Sequence, residues 1–356
     1  MSNKLLLSEY DPISRQTVTE HEVRYPKFPV FDAHIHIGAL QTGDDGYGPK
    51  DPVDVGLMVK RLKASGVTGA INLKMFWGEP LREHLETLNG YEDIIHTFAS
   101  VDPTRLEEPG FAGYVDDLLR QFKSMGIRGL KLWKNIGCTI KDSSGKYISP
   151  DDSRLRPIFE AAAKYDLIVL FHIADPVSFF TPVDGNNEFY ESLCENPDWV
   201  FYDKGGEGRY TFEELMEAQD NLLTQNPDTT FIIAHVGSNA ENLGWVGAQL
   251  DKHKNMYIDT AARNNLLGRQ PYTARDFFIK YQDRILFGSD LFPVDAAEPG
   301  DFYADHYRFF ETYDEYFPPY RNWGSKWNIY GLGLPDEVLQ KFYAQNALKL
   351  LGIKNN

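Results

Sequence analysis

Eight short apolar runs rich in β-branched residues, each separated from the next by a longer stretch, pass through this 356-residue chain and constrain its fold more than any other feature. The spacing predicts strands over 30–37, 67–75, 94–101, 128–133, 167–173, 230–236, 255–260 and 284–288. Between them, 51–65, 111–125, 152–165, 212–225, 240–253 and 273–281 carry apolar residues at i, i+3 and i+4, the stripe of a helix with one buried face, and a last helix is expected over 335–351. Strands that alternate with helices imply crossover connections and therefore a parallel sheet. Eight periods of roughly 36 residues fit a single (β/α)8 TIM barrel. The expectation is one α/β domain over 1–356 with a polar extension at 1–29. An open doubly wound sheet is the alternative, but no Gly-x-Gly-x-x-Gly follows an early strand to mark a dinucleotide site.

Two connections exceed ordinary loop lengths, 174–210 and 291–334. Both follow strands, which on a barrel puts them over the C-terminal face, where active sites sit. The second carries an aromatic run from Phe302 to Tyr330, Trp323 included, suited to a lid or to a contact within a homo-oligomer.

Charge narrows the function classes. Lys plus Arg number 36 against 52 Asp plus Glu, a formal net charge of −16. Such a surface repels phosphate backbones and anionic lipid heads, so no nucleic acid and no membrane is expected as partner; a small-molecule substrate is. Two cysteines, Cys138 and Cys194, are too few for a disulfide scaffold and read as reduced thiols. The first ten residues lack the apolar core of a secretory signal, and a cytoplasmic location is the expectation.

The chemistry concentrates at predicted strand ends. In Phe31-Asp32-Ala33-His34-Ile35-His36-Ile37-Gly38, residues i and i+2 of a strand share a side, so both imidazoles can converge on one ion. His172 ends the fifth strand, His235 the sixth, and Asp290 follows the eighth in Leu286-Phe287-Gly288-Ser289-Asp290. On a barrel these five side chains meet at one end and supply the imidazole and carboxylate mix that suits zinc, manganese or iron. Without a cation, four imidazoles and a carboxylate buried together would leave costly unpaired polar groups.

This ordered set resembles the metal-site signature of the amidohydrolase superfamily, most closely the amidohydrolase-related branch that also contains decarboxylases such as aminocarboxymuconate semialdehyde decarboxylase. The likeness extends to the terminal Gln345-Asn346-Ala347-Leu348-Lys349-Leu350-Leu351. The resemblance implies one divalent metal, zinc first among the candidates with manganese or iron also suited, bound by His34, His36, His172 and Asp290. It makes Asp290 the acceptor of the bound water's proton and His235 the group that polarises the substrate. Lys131, in Gly129-Leu130-Lys131-Leu132-Trp133, leaves a second metal open: two-metal members of the superfamily carry a carboxylated lysine on that strand, whereas a free ammonium could bind a substrate carboxylate. Lys74, Trp133, Asp175 and Arg263, at or beyond strand ends, are further candidates for substrate contact.

The first functional reading is a metal-dependent hydrolase that cleaves a C–N, C–O or lactone bond with metal-activated water. The alternative is a non-oxidative, metal-dependent decarboxylase on the same scaffold. Decarboxylase-like relatives tend to follow the sixth-strand histidine with Gly-Gly, whereas here Val236-Gly237-Ser238 follows His235.

Overall fold

The computed structural model describes residues 6, 10, 13–37, 53–292, 299–320 and 325–354. Its eight strands fall in the expected order: β1 (Val30–Ile35), β2 (Val67–Asn72), β3 (Ile95–Thr97), β4 (Gly129–Leu132), β5 (Ile168–Phe171), β6 (Phe231–Ile233), β7 (Met256–Asp259) and β8 (Ile285–Leu286). Every strand pair is parallel. The strands are shorter than the apolar runs because the last residues of most runs leave the ladder. His36, His172, His235 and Asp290 all stand just past a strand end.

The strands form two sheets, β1-β2-β3 and β4-β5-β6-β7-β8, and do not merge into one continuous ladder. Backbone hydrogen bonds nevertheless bridge both seams. Ala99 donates to Gly129 O (3.1 Å) and Lys131 donates to Ala99 O (2.7 Å), joining the β3 side to β4. Ala33 donates to Phe287 O (2.8 Å) and Asp290 to His34 O (2.9 Å), joining β8 to β1. The strand order returns on itself, the (β/α)8 arrangement expected from the eight periods.

The expected helices are present as Val55–Ala64, Phe111–Ser124, Arg156–Lys164, Phe212–Gln225, Leu243–Lys252 and Pro271–Lys280. The first begins at Val55 because the Asp54 carboxylate caps it by accepting from Leu57 N; positions 51–52 lie outside the described residues. Thr211 and Glu214 form a capping box at the start of Phe212–Gln225. The C-terminal helix is interrupted by a π-helical turn, Lys341–Gln345, between Asp336–Gln340 and Asn346–Leu351.

Two helices depart from the sequence reading. Gly78–Thr87 forms despite Gly78 and Pro80, which sit in its first turn, where proline costs no hydrogen bond. Pro299–Glu311 occupies part of the segment expected to be a loop. Its Phe302, Tyr303, Tyr307, Phe309 and Phe310 are buried in the main core, so this stretch is packing rather than an exposed lid. The recurrence of aromatics at 302, 303, 307 and 310 is helical spacing, which explains the burial. Tyr313, Tyr316, Tyr320 and Tyr330 remain exposed, while 293–298 and Trp323 lie outside the described residues.

Inside the ring of strands, Phe31, Ala33, Ile71, Leu73, Phe98, Ile168, Leu170, Ile232, Ala234 and Leu286 form a separate apolar cluster joined by Ala347 and Leu351 of the terminal helix. Arg128, just ahead of β4, donates to Leu351 O (2.7 Å) and pins that helix at the N-terminal end. Truncating a member such as Leu170 to Ala would cost about 2–5 kcal/mol. With one end filled this way, the polar side chains are left to the other. Cys138 is buried, Cys194 is exposed, and both are free thiols. Among the described residues, no helix is long and apolar enough to cross a membrane.

Candidate metal centre

A strictly alternating strand would put Asp32, His34 and His36 on one face. The pairing of β1 with β2 shifts register between Asp32 and Ile35, and the side chains divide accordingly. Asp32 faces the seam with β8: its Oδ1 accepts from His34 N (3.0 Å) and Ser289 N (3.1 Å), and its Oδ2 accepts from Tyr303 Oη (2.7 Å) and from the Ser289 hydroxyl. Burial pushes this carboxyl up to about 7, against the hydrogen bonds from Ser289 and Tyr303. His34 and His36 turn instead toward Asp290.

His34 Nδ1 lies 2.8 Å from Asp259 Oδ2, and His36 Nδ1 lies 3.1 Å from the Leu73 carbonyl oxygen. A carbonyl and a carboxylate only accept, so both rings carry their proton on Nδ1 and present a bare Nε2. These two nitrogens lie 3.5 Å (His34) and 3.1 Å (His36) from Asp290 Oδ1. The three donor atoms are all within 4.8 Å of one another. Three lone pairs facing one point repel unless a cation sits between them, and two imidazoles with a carboxylate are a donor set for a divalent ion. The residues therefore fit a metal.

Electrostatics agree with that. Burial, helped by the Lys131 charge, holds His34 well below the ordinary histidine range, the neutral form a ligand needs. Burial alone would raise Asp290, but its contacts with His36, His34 and His235 hold it well below the usual carboxylate range. Asp290 has a left-handed backbone (φ 64°), as do His235 (58°) and Val236 (59°), a conformation rarely taken by such residues and concentrated at functional sites.

His172 and His235 form a second group beside the first. His235 Nδ1 donates to Ala261 O (2.8 Å), its Nε2 lies 3.2 Å from His172 Nδ1, and its ring centre is 5.0 Å from that of His34. His172 Nε2 lies 3.2 Å from Asp175 Oδ1, so this ring is turned to Asp175 and His235 and stands outside the three-residue donor group. Burial lowers His172 to about 4 and holds His235 well below the ordinary histidine range, the latter helped by His172 and Arg263. Asp175 also pairs with Lys134 and lies 3.7 Å from Arg263 Nη2. Burial would raise its carboxyl, but the Lys134 charge and His172 keep it well below the ordinary range. Asp175 thus organises cations around it.

These groups open on a cavity of about 480 Å³ lined by His34, His36, Lys131, Trp133, His172, Asp175, His235, Arg263 and Asp290, with walls from Phe179, Trp199, Phe201 and Phe292. The long connection after β5 supplies Phe179, Trp199 and Phe201. Lys131 Nζ is buried with no hydrogen-bond partner among the described residues, and burial brings its ammonium down to about 8. Lys74 does not line the cavity; its ammonium sits 4.7 Å from the centre of the Phe76 ring. Sequence reasoning missed Asp259, although it ends β7 as Asp290 follows β8, and missed Asp32, Ser289 and Tyr303, whose pairing depends on the seam.

A family model described as Amidohydrolase matches residues 97–353. No curated protein matches the sequence. Among solved structures, the 2,6-dihydroxybenzoate decarboxylase from Rhizobium is similar, with a TM-score of 0.56 and 15% identity over 91% of this chain and 99% of that one. A dihydroxybenzoic acid decarboxylase from a Polaromonas species, with bound manganese and the inhibitor 2-nitroresorcinol, gives 0.56 and 15% over 92% and 98%. An amidohydrolase from Burkholderia multivorans with bound zinc gives 0.51 and 11% over 92% and 100%. At these identities the likeness is one of fold.

Proposed function

The chain belongs to the amidohydrolase family, and on that premise we propose that it is a metal-dependent lyase releasing carbon dioxide from a small, flat, hydroxylated carboxylate. The observation that carries this reading is the buried Lys131 ammonium, without a hydrogen-bond partner among the described residues, in the same cavity as the His34, His36 and Asp290 donors. An ammonium without a partner in a desolvated pocket is a site for an anion. Lys131 would hold the substrate carboxylate, with Arg263 a second cation lining the same cavity. Trp133, Phe179, Phe201 and Phe292 line the cavity and suit a flat ring. The decarboxylases among the similar folds act on substrates of this kind.

His34, His36 and Asp290 would hold a divalent ion, zinc or manganese, with His172 as a further ligand after a ring rotation. Such an ion supplies charge that stabilises negative charge developing on a substrate oxygen. Asp290 is ionised at rest, so it must take up a proton before it can give one to the ring. Asp290 accepts the hydroxyl proton and returns it to the ring carbon that bears the carboxylate. The C–C bond then breaks, its electron pair stays with the ring, carbon dioxide leaves, and a solvent proton restores the hydroxyl. His235, neutral and fixed by Ala261 O, is placed to orient the substrate through Nε2.

Hydrolysis is the second reading, favoured by one observation: an Asp290 held ionised is also a general base for attacking water. The test offers Mn²⁺-loaded protein a panel of ortho-hydroxybenzoates and a panel of lactones and amides. Carbon dioxide release, with ¹³C-bicarbonate exchange into the product, supports the lyase. Ring opening or amide cleavage without carbon dioxide moves the assignment to the hydrolase.

A further inference from the structure

One buried carboxylate joins the two halves of the site. Asp259 Oδ2 faces His34 Nδ1 at 2.8 Å, while its Oδ1 accepts from His235 N (2.9 Å) and Ala261 N (3.1 Å). The first contact sets a ring on β1; the others set the chain after β6 and β7. His235 N lies where the backbone takes left-handed φ at His235 (58°) and Val236 (59°), a turn that a β-branched residue resists and that needs an outside acceptor to hold it. Ala261, fixed by the same oxygen, in turn accepts from the His235 ring through its carbonyl.

We infer that Asp259 is a positioning residue with two linked tasks: it fixes the His34 tautomer that binds metal, and it holds His235 beside that metal. An acceptor-only carboxylate demands the proton on His34 Nδ1, which leaves the Nε2 lone pair aimed at the ion. Carboxylates paired with ligand histidines act in this way. The inference rests on His34, His36 and Asp290 being the metal ligands, and its test separates the two claims.

Asp259→Asn keeps the shape and one oxygen, so the bonds from His235 N and Ala261 N can persist. Its amide NH₂ now faces His34 Nδ1 and favours the opposite tautomer, with the proton on Nε2. Mn²⁺ titrations, following free ion by electron paramagnetic resonance, should show Kd for Asp259→Asn raised about 10–100-fold over wild type. ¹⁵N-histidine NMR of metal-free wild type should show His34 protonated on Nδ1, its signals identified by their loss in His34→Gln. If Asp259→Asn does not fold, this measurement on the wild type still decides. A wild type that binds Mn²⁺ beside an equally tight Asp259→Asn, or a His34 protonated on Nε2, overturns the role of Asp259. A wild type that takes up no Mn²⁺ overturns the metal reading itself.

Discussion

His36 Nε2 lies 3.1 Å from Asp290 Oδ1 while the opposite ring nitrogen already gives its hydrogen to the Leu73 carbonyl, so the short contact joins a bare nitrogen to an ionised carboxylate. Such a pair is stable only around a cation. Asp290→Asn should therefore weaken metal uptake and also remove the group that moves the proton. Positioned proton transfer is worth about 10²–10⁴-fold in rate. We expect kcat to fall by at least that factor even at saturating Mn²⁺, measured with metal content determined on the same sample. Near-normal kcat at full occupancy would take the proton-transfer role away from Asp290.

Lys131 is a cation in a place where charge is expensive. Burial lowers its ammonium to about 8, so from there up to the ordinary lysine value the unfolded chain holds the proton more tightly than the folded one. The charge thus destabilises the fold at neutral pH, and the cost is relieved as pH rises past 8. Lys131→Met should raise stability by about 1–3 kcal/mol at pH 7 while abolishing anion binding, the trade seen where function needs a strained group. In the wild type, kcat/KM for a carboxylate substrate should be flat below pH about 8 and fall about tenfold per unit above it. Thermal melts of both proteins and a pH series of kcat/KM check this; a flat profile to pH 10 would show that Lys131 holds no substrate charge.

Asp32 never reaches the cavity, yet it receives two backbone N–H groups and two hydroxyls at the seam that carries His34 and Asp290. Asp32→Ala leaves Tyr303 Oη and the Ser289 and His34 amides buried without an acceptor. Losing a buried network of this kind costs about 3–5 kcal/mol. In a chain of this size that corresponds to a fall in Tm of about 5 °C. Calorimetry should show it, with Tyr303→Phe costing about 1 kcal/mol because only one donor disappears.

Periodicity carried the eight strands and six of the helices, because apolar spacing follows directly from which face is buried. The same pattern was present in Phe302, Tyr303, Tyr307 and Phe310, but a long aromatic segment after a strand reads as loop when length is weighed ahead of period. At the site, residue type and strand position brought His34, His36, His235 and Asp290 together; His172 is near but turned to Asp175. Trp133, Asp175 and Arg263 line the cavity as the strand-end rule implies, whereas Lys74 sits over Phe76. Asp32 and Asp259 act through contacts with residues more than two hundred positions away in sequence, to Ser289 and Tyr303 and to His34 respectively. Those pairings exist only once β1 meets β8 and β8 pairs with β7. No local signal encodes them.

His96 offers a measure of acid stability away from the metal ligands. It sits on β3, stacked on Phe31 with ring centres 5.6 Å apart, and its Nε2 is buried with no hydrogen-bond partner among the described residues. Burial, with the Arg128 charge, lowers its pKa to about 4. Above the ordinary histidine value of about 6.5 neither the folded nor the unfolded form is protonated, so His96 imposes no penalty there. As pH falls below that value the unfolded chain takes up the proton first. Stability is lost progressively until about 4, where the folded form also protonates. Allowing for partial exposure, the loss is on the order of 1–3 kcal/mol. His96→Phe keeps the stacking and removes the proton, so its stability relative to wild type should rise by that amount between pH 7.5 and pH 4. Burial also lowers His84 to about 4, so the slope should shrink without vanishing. Urea unfolding at a series of pH values reads the difference, and parallel curves for the two proteins would show that His96 is not buried as a neutral ring.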